Sequence, residues 1–188
     1  MKKVLLLFII LIYTSVSHAQ KTSTDIRTAV TSHLKAMEAK NYEEALNYYY
    51  EKYYQIMSKS EFLKKLKEMD TNEMLEAKNK FSKIISVSEI ITHNDVQYAL
   101  VEYQVQVFFK FKNSVEEEVI QYVKAKIEAK EKNVSYSSKN KEVDYYRNSL
   151  AIVINTNGWK MLPYSKKLAP YIKSMIPSLA YEKLAIPE

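Results

Sequence analysis

Few side chains in this sequence do chemistry, and they are thinly spread. With no cysteine, a thiolate nucleophile, a disulfide and a lipid anchor on cysteine are all excluded. The histidines are His18, His33 and His93. One glycine, Gly158, leaves no room for a Gly-x-Ser-x-Gly elbow. His93-Asn94-Asp95 places two metal-type ligands together, but no third follows at a binding spacing. The expectation is no metal, no cofactor and no recognisable catalytic residue. The chain is instead rich in phenol. It has 16 tyrosines, five of them in Tyr48-Tyr49-Tyr50 and Tyr53-Tyr54. A tyrosine packs through its ring and needs a partner for its hydroxyl when buried. The spacing predicts core or rim packing for most of this cluster, with one or two left to line a pocket.

The element that must position these groups is Val96–Phe111, VQYALVEYQVQVFFKF, the longest β-type run. Its odd positions (Ala99, Val101, Tyr103, Val105, Val107, Phe109, Phe111) are apolar, and its even positions are polar in the middle. At roughly 3.3 Å per residue such a strand spans about 50 Å, long enough to require bending and twisting. Tyr103 is the one polar-tipped side chain on the apolar face, and Tyr49 and Asp144 are the groups placed to approach it.

Around this strand the pattern alternates between helix and strand. Apolar groups at Ile26, Ala29, Val30, His33, Leu34 and Met37 predict a helix over 24–37, with His33 as a packed core residue. Asn41 followed by Glu44 predicts the start of a second helix, whose buried stripe is Tyr42, Ala45, Leu46, Tyr49 and Tyr53. Ser58 with Glu61 makes a capping box for a third, with Phe62, Leu63, Leu66 and Met69 inward. Residues 80–92 read as strand, turning at His93-Asn94-Asp95 into the central strand. Residues 114–130 are predicted helical. Ser114 and Glu117 suggest a cap, acids precede lysines along the run, and Val119, Ile120, Val123 and Ile127 make a stripe. Val134–Ser137 and Glu142–Arg147 predict a short hairpin, and Leu150–Asn155 a separate apolar strand. Asn157-Gly158 predicts a type I′ turn into Trp159–Leu162. A last helix is expected over Lys166–Ile176, broken by Pro177, with a short one beyond it to Leu184.

The N-terminus predicts the compartment. Lys2 and Lys3, the apolar run Val4–Ile12 and Ser17-His18-Ala19 read as a signal peptide over 1–19, cleaved after Ala19. The expected mature chain is exported, periplasmic or extracellular, with no transmembrane segment after cleavage. Losing Lys2 and Lys3 lowers the basic count from 28 to 26 against 22 acids, and the net charge from +6 to +4. Acids and lysines are interleaved, as in KSEFLKKLKEM, which suits solvated helix faces and not a nucleic-acid stripe. Residues 20–188 are expected to form one domain.

Helices first, then a curved antiparallel sheet, then a closing hairpin bearing Asn157-Gly158-Trp159-Lys160: this order resembles the nuclear transport factor two-like superfamily, which includes ketosteroid isomerase-like and polyketide cyclase-like proteins. The resemblance covers roughly residues 25–164. The helix over 114–130 and the tail after Ser165 depart from it. The chain also looks like small exported proteins of unknown function from Bacteroidetes-type bacteria. The resemblance implies an α+β fold in which N-terminal helices pack on a strongly curved, cone-shaped antiparallel sheet, here with a C-terminal helical extension. It further implies an apolar pocket inside the cone. The lining expected from alternation and element order is Tyr49, Tyr53, Val101, Tyr103, Val105 and Trp159, with Trp159 also placed to plug the core.

The same cone hosts enzymes, ligand binders and dimerisation modules. The first expectation is an exported, non-enzymatic binding or interaction module for a small apolar ligand. The second is an isomerase- or cyclase-like enzyme. Such relatives use a carboxylate base and an oxyanion donor, which would fall to Asp144, Tyr103 and Tyr49. The third is a homodimer or an envelope-docking protein that uses the mixed even face of the central strand, Tyr98, Leu100 and Phe108 among Glu102, Gln104 and Gln106.

Overall fold

The computed structural model describes residues 22–186, so the predicted signal peptide lies outside the described residues. The fold is α+β: helices pack on a curled antiparallel half-barrel, and two short helices close the C-terminus. In chain order the elements are α1 (residues 22–38), α2 (Tyr42–Leu46), a 3-10 turn (Glu51–Gln55), α3 (Lys59–Asp70), β1 (Leu75–Val87), β2 (Ile91–His93) and β3 (Val96–Phe111). They continue with α4 (Glu117–Glu128), β4 (Ser135–Ser137), β5 (Glu142–Asn155), β6 (Trp159–Tyr164), α5 (Ala169–Met175) and α6 (Ser178–Lys183).

The long strand β3 is the middle of the sheet. β1 and β2 pair along one side of it and β5 along the other; β4 and β6 then pair with opposite ends of β5. The odd residues of β3 face inward together with Tyr145, Arg147, Ser149, Ala151 and Val153 of β5, because Cα partners share a face. Along β1 the inward apolar residues Phe81, Ile84 and Val87 are spaced by three. Two register shifts, between Phe81 and Lys83 and between Ile84 and Ser86, keep all three opposite Val105, Tyr103 and Val101. Each extra residue is a bulge that bends the edge strand and raises its twist, which curls the sheet.

Two apolar cores follow, one on each face. On the inner face Ile26, Val30 and Leu34 of α1, one helical turn apart, pack against Ala99, Val101, Tyr103, Val105 and Val153. On the outer face Ile172, Met175, Ile176, Ala180 and Leu184 of the C-terminal segment cover Tyr98, Ile152, Ile154 and Leu162. Tyr98 is therefore buried under the molecule's own tail, and the even face of β3 is not one continuous surface. Phe108, at the far end of that face, is partly buried. Between these two residues the face is a polar ladder: Gln104 donates to Asn148, Asn148 to Glu102, and Gln106 to Asp144.

The helix over 114–130 forms as α4 and packs Ile120 against Phe111 and Val143, on the inner face. Its start differs from the expected Ser114–Glu117 box. Glu116 is the N-cap without a side-chain cap, and Glu117 instead accepts from the Tyr136 hydroxyl at 2.7 and 2.8 Å. The Ser58–Glu61 capping box is present as predicted. Asn41 does not cap the backbone of α2; its amide donates to Glu44 at 2.6 Å, and α2 ends at Leu46, so Tyr49 and Tyr53 lie beyond the helix. Met69 of α3 is exposed, not inward. β1 begins five residues before the predicted Lys80, and its pairing breaks before β2. The predicted strands Glu142–Arg147 and Leu150–Asn155 are one strand, because β3 is long enough to pair with both.

Candidate functional site

The tyrosine cluster is brought to the sheet by a backbone contact. Tyr50 N donates to Met161 O at 2.8 Å and Met161 N to Tyr48 O at 2.7 Å, a parallel bridge that lays Tyr48–Tyr50 along the free edge of β6. Tyr49 then stacks on Tyr53 with ring centroids 5.1 Å apart, and Phe62 of α3 meets both rings. Burial pushes the Tyr49 phenol well up from its ordinary range, and the neighbouring phenols of Tyr103, Tyr53 and Tyr54 act in the same direction. His33 of α1 sits against this cluster, edge-on to Tyr49 at 5.0 Å, with its Nδ1 donating to Ala45 O at 3.0 Å. Burial lowers its pKa to about 4, against the raising effect of that hydrogen bond, so the ring is neutral and structural.

Of the six residues expected to line a pocket, Tyr49, Tyr53 and Tyr103 come together, and Val101 and Val105 flank Tyr103 along β3. Trp159 belongs to the same inner core as Val101, Tyr103 and Val105, with its backbone toward the other end of β5: it pairs with Asn155, whereas Tyr103 pairs with Ser149, roughly 20 Å away at the strand rise. Tyr53 is partly exposed; the other five are buried, Trp159 in the inner core with Met161. Of the six, Tyr103 lines an open cavity at the edge of β5.

That cavity is an open cleft of about 540 Å³, in the size range of small-molecule sites. It exists because β4 pairs with β5 only as far as Asp144 and β6 only from Leu150, leaving residues 145–149 unpaired on that side. Tyr103, Arg147 and Ser149 line it from the inner face, and Leu150, Pro163 and Leu168 give it apolar walls. Tyr103 is 9% exposed, and burial raises its phenol pKa, partly opposed by the Arg147 guanidinium and the Ser149 hydroxyl. The phenol thus stays protonated and serves as a donor at the cleft.

The carboxylate considered as a partner for Tyr103 is elsewhere. Asp144 pairs with Phe108 on the outer face, where it accepts from Gln106 at 3.2 Å and from Ser135. A second cavity, about 390 Å³, lies between the ends of α1 and α3 and the edge of β1. Its polar wall is Asp70, paired with Lys40 at 2.8 Å and accepting from the Tyr42 hydroxyl. Among the described residues no group of three His, Cys, Asp or Glu is placed to hold a metal, and no helix is long and apolar enough to cross a membrane.

The sequence reading missed Arg147, Ser149 and Leu168. Arg147 is one of two arginines in the chain, but its face is readable only when Val143, Tyr145, Arg147, Ser149, Ala151 and Val153 are seen as one alternating strand. Splitting that strand at 147 hid the stripe. Comparison of the chain with family models, curated proteins and solved structures finds no match.

Proposed function

We propose that the protein is an exported, non-enzymatic binding module that holds a small ligand with an apolar body in the cleft at the unpaired edge of β5. The observation that carries this reading is the meeting, in one 540 Å³ cleft, of a buried phenol donor, Tyr103, with the apolar walls of Leu150, Pro163 and Leu168. A pocket built from apolar walls and a few convergent polar groups is the usual form of a small-molecule site. The frame is a variant of the nuclear transport factor two-like cone. What supports that kinship is the order of helices, curled sheet and Asn157-Gly158-Trp159-Lys160 hairpin. In this variant α4 and the α5–α6 tail cover surface on opposite faces, and the interior at Trp159 is filled by packed side chains. Binding is favoured over proton-transfer chemistry because Asp144 lies across the sheet from Tyr103. The export assignment rests on Lys2, Lys3 and the apolar run that follows them.

The test is native mass spectrometry of the mature chain from its exported fraction, beside a Ser149→Trp variant that fills the cleft. A mature mass beginning at Gln20, with a small molecule released on unfolding of the wild type and absent from the variant, is the expected result. A ligand retained equally by both proteins, or a chain found with its leader intact in the cytoplasmic fraction, overturns the reading.

A further inference from the structure

We infer that the cleft at the β5 edge takes a monocarboxylate with an apolar body, with Arg147 as the principal counter-charge and Lys166 and Tyr103 as supporting donors. The inference rests on the reading of this cleft as a ligand site and adds the chemical class of the ligand.

The cleft is lined by cations and by a protonated phenol, with no acid beside them. None of the side chains lining the cleft is acidic, while Arg147 and Lys166 both line it. Elsewhere lysines are interleaved with acids in sequence, and four are ion-paired among the described residues: Lys40 with Asp70, Lys64 with Glu68, Lys78 with Glu76 and Lys124 with Glu128. Among the described residues neither Arg147 nor Lys166 has a carboxylate within ion-pair distance. The polar neighbours sort in the same way. Asn148 is engaged on the outer face with Gln104 and Glu102, Ser165 accepts from Leu168 N, and the Tyr164 hydroxyl lies 3.4 Å from that of Tyr181. That leaves the Tyr103 phenol, held protonated by burial; the Ser149 hydroxyl, directly across from it in the β3–β5 pairing, donates to the phenol oxygen and leaves the phenol proton free to be donated.

Two cations and one phenol at one mouth present donors with no anionic acceptor among the lining side chains. The planar fork of a guanidinium matches a carboxylate through two parallel hydrogen bonds, which a point-like ammonium does not. Leu150, Pro163 and Leu168 then sit where the apolar body of an amphiphile would lie. The inward position of Arg147 follows from register: it is the Cα partner of Val105, a core residue, at the point where the sheet loses its covering strand. An arginine in that row would otherwise be buried; the gap in pairing lets its head reach water while its stem follows the apolar row.

The experiment compares octanoate with 1-octanol, equal in chain length and different in charge, by calorimetric titration of the mature chain at matched ionic strength. Octanoate is expected to bind at least about tenfold more tightly than 1-octanol, the scale of one charge-assisted hydrogen bond. Arg147→Gln should bring octanoate to the level of the alcohol while leaving the alcohol unchanged; Lys166→Gln should weaken octanoate less. Both side chains are unpaired, so the variants are expected to melt with the wild type, and Ser149→Trp controls for binding elsewhere. Equal binding of acid and alcohol overturns the head-group assignment and leaves the cleft as a binding site. Unchanged octanoate affinity in Arg147→Gln, or in Ser149→Trp, overturns the assignment as well. Binding of neither compound overturns both the assignment and the ligand-site reading on which it rests.

Discussion

The Tyr103 phenol and the Asp144 carboxylate stand on opposite faces of one sheet. Tyr103 shares its face with Ser149, and Asp144 shares the other with Phe108. Ser149 lies five steps along β5 from Asp144, an odd number, and a strand turns its side chains over at every step. The two groups therefore act independently. Tyr103→Phe and Asp144→Asn should change stability additively, within about 0.5 kcal/mol in urea denaturation, and Asp144→Asn should leave uptake at the cleft unaltered. A coupling above about 1 kcal/mol would show that the two side chains communicate.

His33 makes stability depend on pH. Its folded pKa, about 4, lies below the ordinary 6.5 because burial disfavours the charged ring. Between these values the unfolded chain holds a proton that the folded one does not. This contribution is complete above pH 6.5, is lost as the pH falls to about 4, and is flat below that. Its full size is on the order of 3 kcal/mol. Denaturant midpoints measured from pH 7 to pH 4 should fall for the wild type, and should fall distinctly less for His33→Gln, whose amide keeps a donor for Ala45 O.

The turn into β6 needs its glycine for backbone reasons alone. Gly158 has φ of +122°, a conformation that side chains rarely adopt, and a Cβ placed there meets nothing within 4 Å. Gly158→Ala should cost about 1–3 kcal/mol without any clash, through the backbone. Asn157, at φ of 64°, tolerates the left-handed region. Asn157→Gly should accordingly be close to neutral in thermal melts, and a large loss there would mean that the Asn157 side chain carries the turn.

The C-terminal helices cover the outer apolar row of the sheet. Ile172 is fully buried on Ile152, Ile154, Leu162 and Tyr98. Ile172→Ala should destabilise by about 2–5 kcal/mol, as for other buried large-to-small changes. Removal of residues 165–188 should expose the outer apolar row and give a chain that self-associates in light scattering. A monomeric, stable truncation would mean that α5 and α6 do not hold the outer core.

The local signals that were readable in the sequence are those with short-range causes. Alternation over Val96–Phe111 defines a strand with these same bounds, because burial on one face imposes period two whatever lies opposite. The Ser58–Glu61 box is satisfied within a few residues of backbone, and a turn falls at Asn157-Gly158 as predicted, although the pairing of Asn155 with Trp159 leaves three residues in the loop and not the two of a type I′ turn. The α+β order of helices, strands and C-terminal helix is legible for the same reason, whereas the curl of the sheet is an expectation from the length of Val96–Phe111 and from the resemblance.

What depended on pairing was not legible. Residues 80–92 read as strand, but the threefold spacing of Phe81, Ile84 and Val87 hides their shared face, which only the bulges opposite β3 produce. The unity of β5, and hence the inward place of Arg147, comes from the length of the strand it pairs with. The burial of Tyr98 under residues more than seventy positions away, and the gap between β4 and β6 that opens the cleft, likewise belong to the assembled sheet. Local sequence states which face of a strand is apolar. Which neighbour covers that face, and where cover is missing, is decided by contacts distant in the chain, and the candidate site lies where cover is missing.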